Sequence, residues 1–126
     1  WASELGVEPS LMETVLSAVS EPPADYVTKR GWVLIAFQNA LWQLLHAPNL
    51  EEGVVDTVMR GGDTDTNAAI CGALLGAAYG LKAIPAQWLD CILNCRPEKG
   101  NPRVRRPRPE CFWPAEGLEL AKALVS

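Results

Sequence analysis

The chain has few histidines, no paired cysteine motif and no long apolar segment, which are features that zinc-binding and membrane-spanning proteins need. His46 is its only histidine, and its four cysteines form no Cys-x-x-Cys pair, which argues against a structural zinc site. No apolar run reaches the ~20 residues that a membrane-spanning helix needs, and no basic-then-apolar leader follows Trp1. We therefore expect a cytoplasmic protein with reduced cysteines and no membrane partner.

Basic charge and strand patterning are also sparse. Eleven basic and fifteen acidic residues give a net charge of −4, which predicts no general attraction to nucleic acid. Five of the basic residues lie between Lys99 and Arg108, where a solvated loop is favoured over a contact for phosphate or an acidic partner. No segment alternates apolar and polar residues as a half-buried strand does. These features predict an all-α fold, and the chain length suits one small domain.

Prolines, glycines and capping residues divide the chain into predicted helices. Ser10 and Glu13 form a candidate capping box, and Asn49 is a candidate cap for a later helix. A proline- and arginine-rich irregular loop is predicted over residues 96–114. Apolar spacing predicts helices over about residues 10–20, 29–46, 50–60, 65–79, 85–93 and 115–124. Their predicted inward apolar residues include Leu11, Val15, Leu16, Val19, Val33, Leu34, Phe37, Leu41, Leu44, Leu45, Val54, Val55, Val58, Met59, Trp88, Leu89 and Ile92.

The predicted helix over residues 65–79 has unusually small side chains. Small residues recur every four positions along it, at Ala68, Gly72, Gly76 and Gly80. Such a ridge lets neighbouring backbones approach closely, and its packing must offset the roughly 1 kcal/mol that each helical glycine costs. We therefore predict that this helix is the central one of a helical bundle.

Residues 61–67, Gly-Gly-Asp-Thr-Asp-Thr-Asn, carry the densest polar chemistry of the chain. Two carboxylates and two hydroxyls occupy four consecutive positions directly before an apolar helix. Oxygen ligands suit Mg²⁺ or Mn²⁺, and the glycines allow Asp63 and Asp65 to lie on the same side. The alternative is helix capping, in which these side chains accept hydrogen bonds from free backbone amides. Spacing alone leaves both interpretations open.

Two sharper motifs do not fit the same segment. An EF-hand loop beginning at Asp63 would need glycine and glutamate where Ala68 and Leu74 stand. A phosphatase of the haloacid dehalogenase type is expected to place Asp-x-Asp after a buried strand, but a glycine pair precedes it here.

The same segment, with the small-residue helix that follows it, resembles the carboxy-terminal signature of the ADP-ribosylglycohydrolases. This family includes the dinitrogenase-reductase-activating glycohydrolases. The resemblance spans residues 31–95, including Gly31-Trp32-Val33 upstream and Ala83-Ile84-Pro85 downstream. It implies a helical bundle with a binuclear Mg²⁺ or Mn²⁺ centre. It also implies cleavage of the glycosidic bond that joins ADP-ribose to a protein side chain or a small acceptor.

The resemblance also implies roles for individual residues. By the matching motif, Asp63, Asp65 and Thr66 would bind metal, with Asp65 as the bridging and catalytic residue. Gly31 and Trp32 would contact the ADP-ribosyl substrate, although a core tryptophan is the alternative for Trp32. Relatives often carry an aspartate where this chain has Ile35, which removes one expected substrate contact.

One part of the family pattern is missing from the chain. A Thr-Asp-Asp element expected far upstream is not found before Gly61. We therefore interpret residues 1–126 as the carboxy-terminal part of a single ADP-ribosylglycohydrolase-like domain that lacks its amino-terminal half. Such a chain would be inactive alone and would associate with that half or with itself. The alternatives are a non-catalytic metal-binding, nucleotide-binding or structural relative, as the lens J1-crystallins are, and a phosphohydrolase that uses the same ligands.

Overall fold

The structure, a computed structural model, describes residues 6–125. Every regular element in that range is helical, which confirms the all-α prediction. The α-helices are α1 (Pro9–Ser20), α2 (Val33–His46), α3 (Leu50–Met59), α4 (Thr64–Tyr79), α5 (Ala86–Leu93) and α6 (Gly117–Val125). Short 3₁₀ turns lie at Leu81–Ala83, Glu110–Phe112 and Pro114–Glu116.

The chain divides into two compact units, Trp1–Ile84 and Pro85–Ser126. In the first, the four-helix unit, α4 packs against both α2 and α3, and α1 packs against α2. The glycine-rich helix is therefore central to this unit, as predicted. The second, the carboxy-terminal unit, contains α5 and α6, and none of its described residues is buried. Among residues 6–125, each helix is too short or not apolar enough to cross a membrane.

The helices begin where local hydrogen bonds and turns allow them to begin. The Glu8 carboxylate caps α1 by accepting a hydrogen bond from the Ser10 amide at 2.9 Å, so the predicted Ser10–Glu13 capping box is wrong. Helix α2 begins four residues later than predicted, because Gly31 has a φ of +82° and Trp32 is extended. The predicted cap of α3 is confirmed, since Asn49 Oδ1 accepts from the Glu52 amide at 2.9 Å.

Many large apolar side chains that were predicted inward in the first three helices are exposed and the others are half-buried, which corrects the predicted core. Small or polar side chains fill the interior of α2 instead, namely Ala36, Asn39, Ala40 and Gln43. Closely spaced helices leave room only for such side chains between them. The residues of α1–α3 that were predicted inward but are at least 38% exposed are Val15, Leu16, Val19, Val33, Leu45, Val55, Val58 and Met59.

Three buried polar side chains from different segments form one hydrogen-bonded chain. The Tyr26 hydroxyl donates to Asn39 Oδ1 at 2.8 Å, and Asn39 Nδ2 donates to Thr57 Oγ1 at 2.9 Å. The Thr57 hydroxyl in turn donates to the Gly53 carbonyl at 2.8 Å. Burial raises the pKa of Tyr26 to about 12, so its hydroxyl remains a donor at neutral pH. Removing one partner would cost about 1–3 kcal/mol, because a buried polar atom would lose its hydrogen bond.

The loop before α4 lies directly on the backbone of Tyr26. Gly62 has a φ of +74°, and a Cβ added there would lie 1.8 Å from the Tyr26 carbonyl oxygen. Gly61 has a similar φ of +78°, but its added Cβ would be 3.9 Å from its nearest neighbour, Val27 Cγ2. Residue 62 must therefore be glycine for two reasons, and the position of Tyr26 determines where the loop can run.

The most tightly enclosed helical glycine is Gly53 of α3, and not a glycine of the small-residue ridge of α4. A Cβ on Gly53 would lie 2.6 Å from Leu75 Cδ1 and 3.1 Å from Ala47 Cβ. Among the described residues, a Cβ on Gly76 or Gly80 would meet no atom within 4 Å. Within residues 6–125, Gly72 is the one ridge glycine with a near neighbour, Val54 Cγ2 at 3.6 Å, so the ridge admits α3 at that position and not along its whole length as predicted.

The carboxy-terminal unit begins with α5, which follows Pro85 and ends at Leu93 as predicted. Trp88 and Leu89 are half-buried, whereas Ile92 is exposed and does not face inward as predicted. Trp113 is half-buried, and its indole Nε1 donates to the Arg108 carbonyl at 2.9 Å. This hydrogen bond links Arg108, inside the irregular segment over residues 96–114, to the residue that precedes the 3₁₀ turn Pro114–Glu116.

The two types of helical glycine should respond oppositely to alanine. Gly53→Ala should lower the free energy of unfolding by about 1–3 kcal/mol, because the new methyl group overpacks against the buried Leu75. Gly76→Ala should raise it by up to about 1 kcal/mol, because the methyl group enters open space in a helix. Urea denaturation measures both, and a stabilised Gly53→Ala variant would contradict the observed packing.

The adjacent loop glycines provide a second matched pair. Gly61→Ala and Gly62→Ala both place a side chain at positive φ, which costs about 1–2 kcal/mol. Gly62→Ala must also move the Tyr26 backbone, so its loss should exceed that of Gly61→Ala by at least about 1 kcal/mol. Equal losses in thermal or urea unfolding would mean that the contact between Gly62 and Tyr26 does not constrain the loop.

Candidate metal centre

Asp63 occupies the capping position of α4 without using its side chain as a cap. Its carboxylate makes no capping hydrogen bond, while its backbone carbonyl accepts from the Asn67 amide at 3.0 Å. Thr64 is the first residue of α4 and not its cap. The interpretation of this motif as helix capping alone is therefore wrong for Asp63, whose carboxylate is left for other chemistry.

The carboxyl groups of Asp63 and Asp65 lie close enough to share a hydrogen bond. That hydrogen bond, followed by those from the backbone amides of Asp65 and Thr66, lowers the pKa of the Asp65 carboxyl below its ordinary value. Two ionised carboxylates at such a distance repel each other unless a proton or a cation lies between them. The pair is thus suited to hold a divalent cation, and the exposed Thr66 adds a hydroxyl oxygen one residue further on.

The turn before α2 approaches this acidic pair from a different part of the sequence. A Cβ added to Gly31 would lie 3.8 Å from Asp63 Oδ2, so the Gly31 backbone borders the carboxylate. Trp32 follows and is 55% exposed, so the core-tryptophan interpretation is wrong. Its ring lines a hollow of about 240 Å³ with Asp25, Lys29 and Ile35 among the other residues. Asp63 and Asp65 do not line this hollow.

The described residues supply only part of a metal-binding set. Between residues 6 and 125, no three side chains of His, Cys, Asp or Glu are grouped so that they could hold a metal ion. Asp25 is used locally, since its Oδ1 accepts from the Val27 and Thr28 amides at 2.9 Å. Asp56 pairs with Arg60 Nε at 2.6 Å. The candidate centre therefore consists of Asp63 and Asp65, with Thr66 beside them.

The residues that position the centre were not identified from the sequence. Tyr26 supports Gly62 through its carbonyl group, Asn39 accepts from the Tyr26 hydroxyl, and Thr57 accepts from Asn39. One signal was present, because Ala36, Asn39, Ala40 and Gln43 share one face of α2 at helical spacing. A face made of small and amide side chains indicates close packing around a polar group. The apolar stripe of the same helix is a stronger sequence signal and points to a different face.

Comparisons with known proteins identify the family of the chain. A model of the ADP-ribosylglycohydrolase family matches residues 2–110. ADP-ribosylarginine hydrolase Tri1 of Serratia proteamaculans is 31% identical over 74 residues, which cover 59% of this chain and 20% of that protein. The ADP-ribosyl-dinitrogen reductase glycohydrolase of Rhodospirillum rubrum is 34% identical over 60 residues, or 48% of this chain and 20% of that protein.

A third relative comes from Acanthamoeba polyphaga mimivirus, and its name assigns it provisionally to the ADP-ribosyl glycohydrolases. It is 41% identical over 61 residues, which cover 45% of this chain and 18% of that protein. The chain thus matches about a fifth of the length of these relatives. No solved structure matches it significantly. Because the family model covers most of the chain, from residue 2 to residue 110, the chain belongs to the ADP-ribosylglycohydrolase family.

Proposed function

We propose that this chain is the metal-binding part of a hydrolase that releases ADP-ribose from protein side chains or small conjugates. Asp63, Asp65 and Thr66 bind Mg²⁺ or Mn²⁺ in this proposal, and Asp65 is the bridging and catalytic residue. One observation carries the proposal. The Asp63 carboxylate stands at a helix start without capping it, borders the Gly31 backbone, and lowers the pKa of the Asp65 carboxyl through a hydrogen bond.

The donor set fits such a cation. Mg²⁺ is commonly held by one or two carboxylates and keeps several waters, and here two carboxylates and a hydroxyl lie within four residues. When bound, paired cations would polarise the ribose hydroxyls and orient water at the anomeric carbon. The chain holds the carboxylates in place. Only glycine fits at position 62 against the Tyr26 carbonyl, and this contact fixes the loop that carries Asp63.

Gly31 and Trp32 are the substrate contacts in this proposal. Gly31 places backbone without a side chain beside Asp63, which leaves room for a ligand next to the metal. Trp32 presents an exposed ring on the adjacent hollow, where it is available to stack on a planar group. The names of the bacterial relatives describe ADP-ribose on arginine and on dinitrogen reductase. A modified protein side chain is therefore the substrate class that we propose.

A binuclear centre needs more acidic ligands than this set contains. We propose that they come from an amino-terminal half of the enzyme and that the 126-residue chain is inactive without it. The outward apolar side chains of α1 and α3 support this view, because a large exposed apolar surface usually marks an interface. Association with that half or with a second copy would cover this surface. A cytoplasmic location also remains part of the proposal.

The incomplete ligand set also supports a second candidate function. A non-catalytic relative that binds one metal ion would need fewer ligands than a binuclear centre, and a nucleotide-binding or structural relative would need none. The enzyme and the metal-binding relative share the metal and differ in ADP-ribose release, so separate measurements of binding and turnover distinguish them.

Mn²⁺ binding should depend on both carboxylates. In calorimetric titrations of the 126-residue chain, Asp63→Asn and Asp65→Asn should each weaken Mn²⁺ binding at least about tenfold, because each removes one of two anionic ligands. Asp90→Asn removes the same charge from an exposed position on α5 and should leave the affinity unchanged. Equal Mn²⁺ affinities in all three variants and the parent chain would refute the site.

Turnover should require Asp65 once the ligand set is complete. With the amino-terminal part of Tri1 supplied, Asp65→Asn should lower kcat for ADP-ribose release from ADP-ribosylated arginine by about 100-fold or more at saturating Mg²⁺. Thr64→Ser keeps the hydroxyl beside the ligands and should retain activity. Unchanged release by Asp65→Asn would contradict the proposed catalytic role. Tight Mn²⁺ binding without any release would favour the non-catalytic candidate.

A further inference from the structure

Residues 97–108 of the carboxy-terminal unit form a closed loop, called the basic loop below. The Arg108 amide donates to the Pro97 carbonyl at 2.9 Å and thereby joins the two ends. Inside the loop, the Val104 amide donates to the Asn101 carbonyl at 3.0 Å, and the Arg103 amide donates to Asn101 Oδ1 at 3.0 Å. Compact loops of this length with adjacent ends are Ω-loops, which are frequently functional.

The basic loop concentrates positive charge on an otherwise acidic chain. Its cations are all exposed, and no carboxylate of the described residues lies within ion-pairing distance of them. Arginine predominates over lysine, and its planar guanidinium group can bind two phosphate oxygens at once. The cations are Lys99, Arg103, Arg105, Arg106 and Arg108.

An exposed aromatic ring lies at the carboxy-terminal end of the basic loop. Phe112 is 72% exposed and lines a hollow of about 330 Å³ together with Arg108 and Pro109. The hydrogen bond from the Trp113 indole to the Arg108 carbonyl ties the segment that carries Phe112 to the loop end. A cation and an open ring are thus held side by side. An acidic peptide would pair with the cations through its carboxylates, whereas a nucleic acid presents a planar base with each phosphate, and such a base can stack on the ring.

We propose that the basic loop and Phe112 bind single-stranded nucleic acid. The arginines contact successive phosphates, and Phe112 stacks on a base, which is the combination that sequence-tolerant single-strand binders use. The net charge of −4 predicted no such partner, but it averages the acidic remainder of the chain with this loop. The loop is already closed by its hydrogen bonds and carries Pro97, Pro102 and Pro107. It therefore loses little conformational entropy when it binds a ligand.

Fluorescence anisotropy with a labelled single-stranded DNA of about 12 nucleotides tests this proposal. The loop variant reverses three exposed charges and should bind at least about tenfold more weakly than the parent chain. The slope of log affinity against log salt between about 50 and 200 mM should decrease in magnitude by about 2, since each lost phosphate contact contributes about 0.7. The loop variant carries Arg103→Glu, Arg105→Glu and Arg106→Glu.

A matched control variant makes the same change in net charge elsewhere. It reverses three exposed cations of the four-helix unit and should keep the affinity and salt slope of the parent chain. Phe112→Ala should weaken binding roughly 5- to 150-fold through the loss of stacking, whereas Phe112→Trp should retain it. The control variant carries Lys29→Glu, Arg30→Glu and Lys82→Glu.

Three results would overturn the proposal. The first is no binding at about 50 mM salt, where phosphate contacts are strongest. The second is equal weakening in the loop and control variants, which would show attraction by net charge alone. The third is binding of a polyglutamate peptide of matched charge that is as tight as that of the DNA and unaffected by Phe112→Ala. That result would assign the loop to an acidic protein segment.

Discussion

The hydrogen-bonded chain from Tyr26 through Asn39 to Thr57 is the constraint on which the four-helix unit depends. It joins the segment before α2 to α2 and α3, and each buried polar group in it has a partner within the chain. Satisfied polar networks in a low-dielectric interior specify one arrangement, because a shifted arrangement leaves polar atoms unpaired. The carbonyl of Tyr26 then fixes Gly62, and Gly62 fixes the start of α4 and its two aspartates.

The same constraint accounts for the unusual distribution of apolar side chains. Where α3 and α4 meet at Gly53, the absence of a side chain on the glycine makes room for the buried Leu75. Several larger side chains of α1 and α3 are exposed instead, and they supply the apolar surface proposed to pack against further chain. Close internal packing and exposed apolar side chains are the two features on which the proposed association with further chain rests.

Much of the fold could be predicted because its signals are local. Pro48 follows the end of α2, Pro85 precedes α5, Asn49 caps α3, and the polar residues after Gly61 and Gly62 mark the start of α4. The inward faces of the helices could not be predicted in this way. Apolar periodicity reports which face avoids water, but it does not report whether that face packs within the chain or against something else. The contacts of Asn39 and the side-chain role of Asp63 depend on residues distant in sequence.

The position of a bound ion is the most direct test of the proposed metal site at Asp63 and Asp65. Anomalous diffraction from crystals of the chain soaked in Mn²⁺ should show one peak within about 2.2 Å of a carboxylate oxygen of both Asp63 and Asp65. The Gly62 backbone should remain against the Tyr26 carbonyl in the same crystals. Carboxylates that turn away from any ion and accept hydrogen bonds only from backbone amides would contradict the account.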